Sequence, residues 1–133
     1  MARKIIWVSI SLAALFVLIY VFTMSMGKPI TTDLSIIQQG RPALVLAYQN
    51  FSPTGGEALN NLRKIRSEFD SKLDFVIADL GTPEGTAFAN RHRLVDGLAI
   101  YINEYGEPRE RATVPGDQEA LRELLQALLD SEP

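Results

Sequence analysis

"RPALVLAYQNFSPTG", residues 41–55, is the stretch on which the fold turns. Ala43 to Tyr48 form an unbroken apolar run between Pro42 and Asn50, the pattern of a strand buried on both faces. Beyond the corner "NFSPTGGEAL" (50–59), Leu59, Leu62, Ile65 and Phe69 recur at spacings of three, three and four. Arg63, Lys64 and Arg66 fall between them, so the segment is an amphipathic helix. A strand-to-helix corner is a common place for chemistry, yet this one holds no histidine, cysteine or carboxylate before Glu57.

The same periodicities continue in both directions. "LDFVIAD" (73–79) is a second buried strand, "LGTPEG" leads into a helix over 84–92, and "LAIYI" (98–102) is a third strand. "NEYGEP" makes a glycine-containing turn, and "RERATV" (109–114) alternates as an exposed edge strand does. "DQEALRELLQALL" closes the chain as a helix that docks through Leu121, Leu124, Leu125 and Leu128. Upstream, "TDLSIIQQG" (32–40) predicts a short helix capped by Thr32 or Asp33 and stopped by Gly40. The order is α-β-α-β-α-β-β-α, with no internal repeat.

At the N-terminus, 23 residues from Ile5 to Gly27 carry no charge, and as a helix they span roughly 34 Å at about 1.5 Å per residue. That length crosses the hydrocarbon core of a bilayer, of about 30 Å. The segment is too long for the apolar core of a usual signal peptide, and "TMSMGKP" has no A-x-A cleavage pattern. Residues 1–27 are therefore expected to be an uncleaved anchor contacting lipid over residues 5–26, and 28–32 a short linker before a domain at 33–133. Arg3 and Lys4 precede the span, so the positive-inside rule places the N-terminus in the cytoplasm and the domain outside it, in the periplasm.

Without the anchor the balance is acidic: residues 29–133 hold 10 Lys and Arg against 16 Asp and Glu, a net charge of −6. Nucleic acid is not expected as a partner, because its binding rests on a basic patch that releases counterions. The chain has 0 cysteines, so neither a disulfide nor a lipid-modified cysteine supports it, and its core must suffice. With 1 histidine and no cysteine, no metal site and no cofactor is expected.

Lengths and order resemble thioredoxin, and so do two stretches of sequence. Residues 41–55 overlay the family pattern K-P-V-L-V-D-F-W-A-P-W-C-G-P-C without a gap, and "ANRHRLVDGLAIYINEYGE" (89–107) overlays the pattern ending G-I-P-T-L-L-L-F-K-N-G-E. The resemblance implies an α/β, thioredoxin-like three-layer α/β/α sandwich with a central mixed sheet, which the N-terminal transmembrane helix read from residues 5–26 precedes. It also shows what has been lost. The two cysteine positions are Ser52 and Gly55, the family's buried acid falls at Leu46, and its cis-proline falls at Leu98. Thiol–disulfide exchange needs a thiolate nucleophile and a second thiol, so this reading is of a redox-inactive member.

Local chemistry accounts for the corner without catalysis: Thr54 and Glu57 are spaced as a capping box, or Ser52 is the N-cap with Pro53 in the first turn. Asp79 and "LGTPEG" read as a strand end and a proline-started helix in preference to a cation loop. The expected function is a non-catalytic, membrane-anchored binding, assembly or accessory module whose partner is a membrane protein or complex. The groove implied by the resemblance is lined by Phe51, Ser52, Pro53, Thr54, Gly97 and Leu98. The alternative is a membrane-anchored enzyme of non-redox chemistry, with Ser52 as nucleophile and His92 as base.

Overall fold

The structure is a computed structural model and describes residues 2–25, 29–37 and 40–131. Helix α1 (Ala2–Ser25) has 24 residues, about 36 Å of helix, and is long and apolar enough to cross a membrane. Four strands follow: β1 (Ala43–Tyr48), β2 (Asp74–Asp79), β3 (Leu98–Ile102) and β4 (Pro108–Thr113). Between and after them lie α2 (Pro53–Phe69), α3 (Pro83–His92) and α4 (Gln118–Asp130). The apolar runs become strands and the amphipathic runs become helices within one or two residues of their expected ends, apart from α2, which starts at the corner itself.

The sheet order is β2-β1-β3-β4, with β1 parallel to β2 and antiparallel to β3, and β3 antiparallel to β4. Strand β1 is central because it is apolar on both faces, and its side chains alternate between two cores. Leu44 and Leu46 join Phe75, Ile77 and Tyr101 beneath α2 and α4. Ala43, Val45 and Ala47 join Val76, Ile100 and Ile102 beneath α3. The result is the expected three-layer sandwich with a mixed sheet. Strand β4 is the exposed edge, and the fully buried Asn103 shapes the turn before it, its Oδ1 accepting from the backbone N–H of Tyr105 at 3.0 Å and Glu107 at 2.9 Å.

Two expectations change. The helix expected over 32–40 is a single 3-10 turn, Leu34–Ile36, whose N-cap is Asp33; Ile37 is extended at ψ 140°, which ends the turn. Gln38 and Gln39, part of that expected helix, lie outside the described residues. Residues 30 and 31, read as linker, belong to the folded unit. Ile30 is buried, and Thr31 forms a parallel bridge to Val76, its carbonyl accepting from the Ile77 N–H at 2.9 Å.

Helix α4 docks through Leu121, Leu125 and Leu128, which are buried, whereas Leu124 is only partly buried against the same core. Its Arg122 chelates Glu68 of α2 with contacts of 2.6 and 2.8 Å. Replacing Leu125 by Ala should therefore cost about 2–5 kcal/mol of unfolding free energy, as burial of a leucine with a residual cavity predicts. Leu124→Ala should cost clearly less, and equal losses in urea titrations would contradict this docking face.

Candidate functional site

The corner after β1 is organised by a residue that sequence reading did not select. Asp96, in the loop before β3, places its carboxylate at the first turn of α2. One oxygen accepts from the Gln49 N–H at 2.7 Å; the other accepts from the Gly55 N–H at 3.1 Å and from the Ser52 hydroxyl. Helix N-termini leave orphan N–H groups and a partial positive charge, so a carboxylate is well placed there. The cap thus comes from a distant part of the chain. Ser52 is the N-cap by backbone position but makes no side-chain cap bond, and because the helix starts at Pro53, Thr54 already lies inside it. The Thr54–Glu57 capping box accordingly does not form.

Asp96 also explains the glycine at position 55. A Cβ there would stand 2.1 Å from Asp96 Oδ1, so only glycine admits the carboxylate. Gly97 is needed for a different reason: it holds φ +86° while its N–H donates to the Ala47 carbonyl at 2.8 Å, which joins the loop to β1.

Between Gln49 and Ser52, both bound to Asp96, the chain makes a tight turn in which the Ser52 N–H donates to the Gln49 carbonyl at 3.2 Å. Phe51 occupies that turn at φ 63°, a conformation that glycine and asparagine favour, and its side chain is 94% exposed. Pro53 and Thr54 are also exposed, Ser52 and Leu98 are half-buried, and Gly97 is buried. Leu98 packs against the core beneath α3 and so contributes less to a surface than the sequence suggested. Beside the corner lies a shallow cavity of about 140 Å³ lined by Thr54, Glu57, Ala58, Gly97, Thr113 and Val114. Of the six expected groove residues, Phe51, Pro53 and Thr54 are thus exposed, and Val95, 67% exposed, stands next to Asp96.

His92 is not brought to Ser52. Its ring packs on Phe88 at a centroid distance of 4.4 Å, and it lines a separate cavity with Ile102 and Gly106, at the end of β3 remote from Leu98. The Ser52 hydroxyl is bonded to Asp96, and no imidazole joins that pair. Among the described residues, no group of three or more His, Asp or Glu is placed to hold a metal ion. Asp79 closes its own turn by accepting from the Gly81 N–H at 2.8 Å, and Thr82 caps α3 through the Gly85 N–H at 3.1 Å.

The architecture is shared with solved structures. A protein titled Trxlp from Edwardsiella tarda superposes with a TM-score of 0.57 at 19% identity, over 68% of this chain and 88% of that one. An uncharacterized thioredoxin-like protein from Clostridium perfringens gives 0.58 at 14% identity, over 67% and 71%. Thioredoxin of Fasciola hepatica gives 0.56 at 14% identity, over 74% and 95%. At these identities the likeness is one of fold, and the fold is thioredoxin-like. No protein-family model and no curated protein matches the sequence.

Two outcomes test the corner. Asp96→Ala removes the acceptor of three hydrogen bonds and should cost about 2–3 kcal/mol, the scale for leaving partly buried donors unpaired. Gly55→Ala should cost a similar amount by expelling the same carboxylate, and the double variant should be no worse than either single one. Additive losses in a double-mutant cycle would contradict the arrangement.

His92 supplies a pH dependence. Burial, and secondarily the charge of Arg91, lower its pKa below the usual 6.5. The unfolded chain then binds the proton more readily, so stability should fall as pH drops below about 6.5 toward the lowered value. His92→Phe, which keeps a ring on Phe88, should remove that slope between pH 7 and 5; an unchanged slope would contradict it.

Proposed function

We propose that the protein is a non-catalytic, membrane-anchored thioredoxin-like module that binds another protein through the corner at Phe51. The binding supports assembly or accessory function in a membrane complex. The observation that carries this reading is Phe51 itself. Its backbone conformation would suit glycine, its exposure would suit a polar residue, and its ring packs on nothing that stabilises the domain. Residues held in costly conformations at full exposure cluster where proteins act on other molecules, and exposed aromatic rings are the preferred anchors of protein interfaces.

In this reading the N-terminus is cytoplasmic, α1 crosses the inner membrane, and the domain lies in the periplasm, as Arg3 and Lys4 before the span favour. The non-catalytic part rests on chemistry. Without cysteine there is no thiol nucleophile, and Ser52 faces a carboxylate, which is too weak a base to activate a hydroxyl without an imidazole between them.

Phe51→Gly separates stability from function. Relief of the left-handed strain should leave the melting temperature unchanged or higher, while copurification of the membrane complex with the protein should fall sharply. A variant that melts lower and retains its partners would show Phe51 to be a structural residue and would overturn the proposal.

A further inference from the structure

Outside α1, the large apolar side chains most exposed among the described residues are Phe51, Val95 and Tyr105. Phe51 and Val95 flank the Asp96 clamp, while Tyr105, 75% exposed, lies in the β3–β4 turn at the opposite end of the sheet. Resting on the binding role proposed above, we infer that the Phe51–Val95 end is turned away from the bilayer and docks on a portion of the partner protein that stands outside the membrane.

The direction follows from where the chain enters the sheet. Thr31 bridges Val76, the third residue of β2, in parallel, so the segment from the anchor runs along the first half of β2 and enters from the end of Asp74. That is also the end of Ala43 in β1 and of Ile102 in β3, which pair with each other. From Val76, β2 runs on for three residues to Asp79, about 10 Å, and Phe51 lies beyond the end of β1. From Ser25, the last residue of α1, to the buried Ile30 are five residue steps, at most about 18 Å. Bringing the corner to the lipid would require the tether to double back alongside β2 for more than half of this reach. The shorter arrangement keeps the chain's point of arrival, and Tyr105 with it, toward the headgroups, where tyrosine is favoured.

Charge and symmetry decide the occupant. The domain carries a net −6, and at the corner Glu57 and Asp96 outnumber Arg93 of the same loop, so an anionic leaflet would repel it. A second copy anchored in the same bilayer points its corner in the same direction, and two such ends cannot face each other. A partner that rises beyond the headgroups and offers an apolar pocket for Phe51 meets both constraints.

The absence of cysteine permits single-site labelling of the full-length protein in vesicles. A fluorophore on Glu104→Cys should be strongly quenched by headgroup-nitroxide lipids, and one on Asn50→Cys hardly at all; equal or reversed quenching would overturn the orientation. In native membranes, p-benzoylphenylalanine in place of Phe51 should crosslink, and the adduct peptide should map outside the partner's membrane spans. An adduct to lipid, to a second copy or to a membrane span, or no adduct, would overturn the inference. If Phe51→Gly still releases the partner while the adduct lies within the bilayer, only the orientation fails. If neither the variant nor the crosslink has an effect, the binding role fails with it.

Discussion

The carboxylate of Asp96 ties three segments together: the end of β1 at Gln49, the first turn of α2 at Ser52 and Gly55, and the loop that starts β3. Bonds from backbone N–H to a carboxylate are about twice as strong as neutral ones, and the helix dipole adds to them. The site at a helix N-terminus that would favour a thiolate in a redox protein is filled here by an anion from the chain itself. Two residues of the corner suit that occupation. Ser52 donates to the carboxylate, and Gly55 leaves it room.

A clamp of this kind can hold a conformation that the local sequence resists. Gln49 and Ser52 are both fixed by Asp96, so the residues between them are overdetermined, and Phe51 is held at positive φ with its ring in solvent. The strain, of order 1–2 kcal/mol for a non-glycine residue, is affordable because the clamp and the two cores beneath it are independent of the ring. Rigid presentation has a benefit for recognition, since a side chain already held in place loses little freedom when it docks.

The segment after α1 becomes part of the fold at Ile30, five residue steps beyond Ser25, by pairing with the outer edge of β2. Parallel pairing fixes the direction of travel, so the chain enters from the Asp74 end of β2, and the corner lies beyond the remaining half of that strand.

Much of the fold was legible because its signals are local. The double-sided burial of Ala43 to Ala47, the leucine spacing of α4 and the alternating, exposed β4 each depend only on residues a few positions apart, and each became the element expected. The helix expected over 32–40 failed on a non-local ground: nine residues with a cap and apolar positions fit one turn or three, and the pairing of Thr31 with Val76 carries the chain past as a single 3-10 turn. The site divided the same way. Sequence removed thiol chemistry from the corner, since that depends only on the absence of cysteine. It could not show that Asp96 reaches Ser52 across 44 residues, that Phe51 takes a positive φ, or that His92 packs away on Phe88. Those facts belong to tertiary structure, because a carboxylate seeks the nearest orphan N–H groups in space, and only the folded sheet decides which those are.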